Sequence, residues 1–387
     1  MPEHYRRLAI LLGALTALGP LGVDMYLPAF PAMGADLGAS AAEVQRTLAT
    51  FLLGMALGQL AYGPLADRIG RRVPMMVGLV LFILASIGCA LARSAESLAW
   101  LRLLQALGGC VGTVVSRAVV RDLCDERGAV RMMSLLMLAM GAAPILAPMF
   151  GGWMLVGFGW RSIFWFLAIY GVVALAVLAA TLPESLAPEQ RRRDGPLEVL
   201  ATYLSILRDR RFLAPALASS VPMAGLFAYL AGSPIVLMNV HGLTPTQYGM
   251  AFGSNALALI AASQVTARLV RRHAPSWLLP RVLVAQATAG VLALVAVLSG
   301  LLVPLLAALF LYLGLLGATL PLAGALAMQP MGRVAGSASA LMGTIQFGIG
   351  ALIGALMGAI GGGGLAMGLL IGAAGLSGLT AYSVLRR

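Results

Sequence analysis

The stretch Leu21-Gly22-Val23-Asp24-Met25-Tyr26-Leu27-Pro28 places one carboxylate inside a run of residues that otherwise reads as a helix dissolved in lipid. An acid near the middle of a membrane helix costs about 2.5–3.5 kcal/mol on insertion scales, so it faces a cavity, a partner or a pathway. Asp24 is alone in this respect. The chain has 14 Asp and Glu residues; the others fall in gaps between apolar runs or at their ends, and none follows Asp209. Burial and a neighbouring arginine act on a carboxyl in opposite directions, so the protonation of Asp24 can change with its surroundings.

A second polar group sits in Leu101-Arg102-Leu103-Leu104-Gln105-Ala106-Leu107-Gly108-Gly109. At about 100° per residue, Arg102, Gln105, Gly109, Thr113 and Ser116 share one helix face, while Gly108 and Gly112 permit close packing beside it. An arginine several residues inside a span needs a carboxylate or an aqueous cavity, and Asp24 is the expected partner. Enzyme chemistry finds no support. His4, His241 and His273 all lie in gaps, there is no HExxH or paired-carboxylate constellation, and no serine has a plausible base. Cys89, Cys110 and Cys124 have no paired spacing, which argues against a disulfide framework or a zinc site. No metal is expected.

The elements that position these residues follow from composition. Of 387 residues, 60% are hydrophobic and 10% charged, outside the range of soluble globular chains. Apolar runs of about 20 residues, at about 1.5 Å per residue, cross a hydrocarbon core as helices. The runs are Leu8 to Ala29, Val44 to Tyr62, Val73 to Ala92, Leu98 to Val120, Met132 to Val156 and Ser162 to Leu182. Six more follow: Phe212 to Met238, Tyr248 to Val270, Trp277 to Leu298, Leu301 to Ala323, Ala335 to Ile360 and Leu365 to Leu385. The ninth and tenth are separated only by Ser299-Gly300. The first run continues past the length of a signal peptide's apolar region and is expected to be retained.

The net charge of +12 comes without a single lysine. Its arginines lie in alternate gaps, as Arg6/Arg7, Arg68/Arg71/Arg72, Arg121/Arg127/Arg131, Arg191 to Arg193, Arg208/Arg210/Arg211, Arg268/Arg271/Arg272, Arg333 and Arg386/Arg387, whereas the opposite gaps hold only Arg46, Arg93 and Arg161. They are topology signals rather than a nucleic-acid surface, and they place both termini in the cytoplasm. The expected organisation is a six-helix bundle over residues 1–183, a cytoplasmic linker over 184–211 with an amphipathic segment at Leu197 to Leu207, and a second six-helix bundle over 212–387. Tyr26 and Pro31 recur as Tyr229 and Pro234 about 203 residues on, a faint repeat that implies two parallel halves with a binding site between them.

Between the second and third runs stands Gly63-Pro64-Leu65-Ala66-Asp67-Arg68-Ile69-Gly70-Arg71-Arg72. Gly63 and Pro64 are expected to make the tight turn, with Asp67 pairing to an arginine across it. The fifth run carries Gly141-Ala142-Ala143-Pro144-Ile145-Leu146-Ala147-Pro148-Met149-Phe150-Gly151-Gly152, in which Pro144 and Pro148 bend the helix and Gly151 and Gly152 admit a neighbour.

The loop motif resembles the conserved loop of the major facilitator superfamily. Arg102 with Gln105 is similar to that superfamily's Arg-x-x-Gln-Gly-x-Gly pattern, with Ala106 in place of a glycine. The fifth run resembles its antiporter motif, with Ala147 in place of the glycine before proline. Together with Asp24 to Pro31 and Leu182-Pro183-Glu184-Ser185, these segments look like the Bcr/CflA drug-resistance branch. The resemblance implies an all-α polytopic membrane protein of twelve transmembrane helices in two pseudo-symmetric six-helix bundles. It also implies a gating loop of Gly63, Asp67, Arg68, Gly70, Arg71 and Arg72 joined to Arg121 and Asp122.

The function implied is a proton-coupled efflux antiporter of the bacterial inner membrane, working by alternating access on small drug-like or metabolic compounds. It would use the proton gradient and no cofactor, and a monomer in lipid without a nucleic-acid partner is expected. Asp24, paired with Arg102, would release its proton when substrate binds and reload from the outer side. Tyr26, Gln105, Thr113, Tyr229, Asn255 and Gln346 are the polar residues expected around the substrate cavity, with Gln264 nearby. The competing readings are a proton-coupled importer of the same fold and a transport-inactive membrane sensor.

Overall fold

In hydrocarbon every backbone N–H and C=O needs a partner within the protein, and the apolar runs meet this demand as helices. The computed structural model describes residues 3–124, 126–191 and 195–385. Among them are twelve helical segments long and apolar enough to cross a membrane. Arg192, Arg193, Arg386 and Arg387 lie outside the described residues, as do the side chains of Arg6, Arg7, Arg127, Arg131 and Arg333.

The first span is in two pieces. Helix α1 (Glu3–Asp24) ends at the aspartate, a 3-10 turn covers Leu27–Ala29, and α2 (Phe30–Leu37) completes the crossing. A continuous helix was expected through Ala29. Two prolines prevent it: Pro28 has no N–H for the Asp24 carbonyl, and Pro31 none for the Leu27 carbonyl, which takes the Phe30 N–H instead. The first bundle continues with α3 (Ala41–Ile69), α4 (Arg72–Leu91), α5 (Ala95–Leu123), α6 (Glu126–Phe158) and α7 (Arg161–Thr181).

The loop motif also differs from expectation. Helix α3 runs on through Gly63 and Pro64, and the chain turns at Gly70, whose φ of +100° suits only glycine. Pro64 leaves the Leu60 carbonyl without its helical donor. The Tyr203 hydroxyl supplies one at 3.3 Å. Tyr203 belongs to α8 (Pro196–Arg208), the amphipathic segment expected in the linker. That helix does not simply rest on a surface: Tyr203 and Ile206 are buried with Phe212, Ala327 and Leu341, while Leu197 and Leu200 stay exposed.

The second bundle holds α9 (Arg210–Ser233), which passes into a π-helical stretch Pro234–Val240, then α10 (Pro245–Leu269), α11 (Pro275–Ser299), α12 (Leu302–Met328), α13 (Ala335–Ala359) and α14 (Gly364–Leu385). Both the first and the seventh span therefore lose regular helix at their matching prolines, Pro31 and Pro234. Interrupted spans in corresponding positions of two repeats mark the place where such folds bind.

Two helix pairs join the bundles. Helix α13 lies along α3, with Gly343, Gly354 and Gly358 facing Gln59, Ala49 and Ala42. Helix α10 lies along α6, with Gly249 and Gly253 facing Met149 and Ile145. Small residues let the backbones approach where lipid gives no hydrophobic drive.

The Tyr203 bond gives a prediction. Tyr203→Phe should destabilise the purified protein by about 1 kcal/mol, read as a lower thermal midpoint in detergent. Combining it with Pro64→Ala, which restores a helical N–H beneath the Leu60 carbonyl, should abolish the penalty.

Candidate functional site

The site is built from the break in the first span and the helices that hold it. Arg102 on α5 is fully buried and reaches the break directly: its Nη2 donates to the Gly22 carbonyl at 2.8 Å. Its Nη1 donates to Gln105 Oε1 at 2.6 Å, and Gln105 in turn donates to Ser86 Oγ at 2.7 Å. The guanidinium lies between the rings of Tyr26 and Phe51, 4.0 Å from each centroid. Two aromatic faces and two charge-assisted hydrogen bonds stand in for water around this cation.

The expected Asp24–Arg102 ion pair is absent among the described residues. Arg102 is held by Gln105, a carbonyl and two rings, with only its buried Nε left without a hydrogen-bond partner among the described residues. Asp24 is the one buried carboxylate among the described residues, and no hydrogen-bond or ion-pair partner within 4.0 Å holds it there. It lies instead within electrostatic reach of Tyr229 and Tyr248 in the second bundle. Those tyrosines belong to a polar cluster: Asn255 donates to the Tyr229 hydroxyl at 3.0 Å, and the Ser233 and Tyr248 hydroxyls are 3.1 Å apart. Tyr248 and Ser233 were not singled out in the sequence, since one opens a span and the other precedes Pro234 as an ordinary small residue.

The remaining residues expected around the cavity separate. Tyr26 packs its ring on Arg102 and brings its hydroxyl within 3.4 Å of Thr47. Gln105 faces into its own bundle as the Arg102 acceptor, and Thr113 is buried, bonded to the Cys110 carbonyl of its own helix. Gln346 reaches Ser219 at 3.5 Å within the second bundle, and Gln264 is exposed. None of them lines the large cavity between the bundles.

That cavity, about 1250 Å³, opens toward the arginine-rich loops and is walled by α3, α5, α8 and the start of α13. Away from it the bundles meet closely. Gly151 lies so near the Met25 carbonyl that a methyl group there would overlap it, and Gly152 faces the Pro245 carbonyl at the start of α10. The segment with Pro144 and Pro148 thus presses its glycines against the broken first span on one side and α10 on the other.

At the cavity mouth, Arg71 bridges Asp67 at 2.6 Å and Asp122 at 2.9 Å. Arg121 is 4.0 Å from Asp122 and mostly exposed, Arg72 donates to the Ala179 carbonyl, and Arg68 lines the cavity. Glu184, quoted above only for its neighbours, closes the cluster. Its carboxylate accepts the backbone N–H groups of Arg71 at 2.7 Å, Arg72 at 3.2 Å and Leu186 at 3.1 Å, against the space left by the missing side chain of Gly70. Burial alone would raise this carboxyl, but the three backbone donors outweigh it and hold it below its ordinary value.

Residues 12–355 match the profile of the Major Facilitator Superfamily. The chain belongs to this superfamily. It is 38% identical over 354 residues to an uncharacterized MFS-type transporter, YdgK, of Bacillus subtilis, covering 91% of this chain and 88% of that one. It is 31% identical over 349 residues to a bicyclomycin resistance protein homolog of Haemophilus influenzae, covering 90% and 88%. In fold it is similar to a bacterial homologue of the human lysosomal transporter Spinster in an inward-facing, unoccupied conformation, with a TM-score of 0.73 at 15% identity over 100% of this chain and 96% of that one. The nucleoside transporter NupG gives 0.74 at 13% identity over the whole of both chains. The protein is thus a multi-pass membrane transporter of the major facilitator fold, not an enzyme, and its resistance-named relative agrees with the Bcr/CflA branch its motifs resemble.

Two predictions follow from this geometry. Because Arg102 does not depend on Asp24, Arg102→Met should destabilise the protein by about 3 kcal/mol or more, whereas Asp24→Asn should leave the thermal midpoint in detergent unchanged. For Glu184, a depressed carboxyl stabilises the loop fully above its unfolded value near 4.5, and this is lost as pH falls through the lower folded value. The hydrogen-exchange protection factors of the Arg71 and Arg72 amides, taken against the intrinsic rate at each pH, should stay high to about pH 5 and fall below it. In Glu184→Gln they should be low already at neutral pH.

Proposed function

We propose that the protein is a proton-coupled exporter of small drug-like or metabolic compounds, with Asp24 as the proton carrier, in a bacterial inner membrane with both termini cytoplasmic. The observation that carries this reading is a buried carboxylate with no counter-ion among the described residues, placed at a break in the first span and within electrostatic reach of tyrosines of the opposite bundle. A carboxylate held by an arginine has little reason to change its charge state. One near tyrosines across an interface changes its surroundings whenever the bundles rock.

In the arrangement described, the bundles meet around Gly151, Gly152 and Gly249, and the cavity faces the arginine-rich side. Positive charge in these loops marks that side as cytoplasmic. A compound that binds in this cavity, taken as the transport site, and thereby lets water reach Asp24 would favour release of the proton, because hydration stabilises the carboxylate. Rocking to the outward state would then expose Asp24 to the outside, where it reloads as the compound leaves. One charge crossing about 100 mV contributes about 2.3 kcal/mol, equivalent to roughly fifty-fold accumulation. The similarity to a bicyclomycin resistance protein homolog supports the outward direction.

The test is a resistance profile. Overexpression of the wild type in a strain lacking its own exporters should raise tolerance to a subset of antibiotics, and Asp24→Asn at equal membrane abundance should return every one of them to the vector level. Asp24→Asn cells with full wild-type resistance would remove Asp24 from the coupling step.

A further inference from the structure

The cavity between the bundles carries a charge imbalance that the gating cluster does not absorb. Four arginines line it, Arg68, Arg71, Arg117 and Arg121, against two aspartates, Asp67 and Asp122. Both aspartates are engaged by Arg71. Arg68 and Arg121 are exposed at the mouth, where water screens them. Arg117 is different. It stands one turn of α5 inside Arg121, roughly 6 Å deeper along the axis, and is half-buried.

Its Nε donates to the Thr113 carbonyl of its own helix at 3.1 Å, which leaves its two terminal nitrogens for other partners. No carboxylate pairs with it among the described residues. The facing wall, from α13, offers Ser337 and Ser339 and no acid, as does the whole chain after Asp209. Between them, Val114 and Met133 offer apolar wall beside the polar Tyr62 and Thr202.

A guanidinium in a partly desolvated wall with no counter-ion among the described residues is costly to keep, and the Nη1–Nη2 edge left by the Thr113 bond matches a planar carboxylate or sulfonate. We infer that Arg117 is the anchor for the anionic group of an amphipathic organic substrate, whose apolar body lies along Val114 and Met133. This rests on the reading above that the cavity is the transport site, and it narrows the substrate class to monoanions and zwitterions.

The inference is tested by equilibrium binding, which needs no gradient and so stands apart from proton coupling. Protein in phosphatidylcholine nanodiscs is titrated with dansylglycine and with its uncharged methyl ester, which differ only in the carboxylate. Wild type and Asp24→Asn should both prefer the acid by about tenfold or more, falling with added salt. Arg117→Gln should bind the two equally, with ester affinity and thermal midpoint unchanged, and Arg117→Lys should keep part of the preference. Ser339→Trp, which fills the facing wall, should weaken both probes.

Equal binding of acid and ester by the wild type, or a preference that survives Arg117→Gln, would overturn the assignment. So would a loss of acid binding in phosphatidylglycerol nanodiscs as large as that caused by Arg117→Gln, since the occupant would then be a lipid headgroup. Failure of the Ser339→Trp arm alone would move the transport site out of this cavity and so sink the reading on which the inference rests. Failure of Asp24→Asn to abolish resistance would leave the Arg117 result standing.

Discussion

The Arg102 guanidinium fixes the shape of the first span. An unpaired cation at that depth would be intolerable, yet it is met by a carbonyl, an amide oxygen and two aromatic faces rather than by an acid. The carbonyl is that of Gly22, two residues before the helix ends, so the cation that needs a partner and the backbone that has lost regular helix satisfy each other. Tyr26, just past the break, is held over the same guanidinium. Asp24 lies between these two clamped residues, and its position follows from theirs.

This arrangement separates two roles that the sequence suggested were joined. Arg102 and Gln105, with Ser86 behind them, form a rigid post inside the first bundle. Asp24 is left within reach of the second bundle's Tyr229 and Tyr248, where the two bundles meet. Gly151, packed on the Met25 carbonyl, ties the same break to α6, and α6 leans on α10 through Gly249 and Gly253. The carboxylate therefore sits where the two halves and the broken span all converge, and a shift in any one of them changes what surrounds it. At the other end of the molecule, Arg71, Asp67, Asp122 and Glu184 tie the ends of α3, α5 and α7 into one unit that can move as a body.

Much of this was legible in the sequence because lipid imposes simple rules. Spans follow from the length of apolar runs, and even the narrow Ser299-Gly300 boundary is there, with Gly300 at φ +67° ending α11. Charge spacing pointed to a pairing of Asp67 with a loop arginine, and the superfamily resemblance, not the spacing, pointed to Asp122 joining those arginines. What could not be read depended on partners distant in the chain. Gly63-Pro64 looks like a turn until Tyr203, 143 residues away, is seen satisfying the Leu60 carbonyl. Asp24 looks like the counter-ion of Arg102 because like seeks unlike, and composition does not reveal that a carbonyl and two rings suffice. Glu184 acts through backbone N–H groups, which carry no sequence signature, and Ser233 gains meaning only from its bond to Tyr248, which lies within electrostatic reach of Asp24.

The central claim is that Asp24, with no counter-ion among the described residues, exchanges its proton with the arrival of substrate. The most direct measurement is proton release by the purified protein in weakly buffered detergent, on adding a compound chosen from the wild-type resistance profile. The account predicts about one proton released per compound bound by the wild type and none by Asp24→Asn, with both proteins binding the compound. Equal release from the two would contradict it.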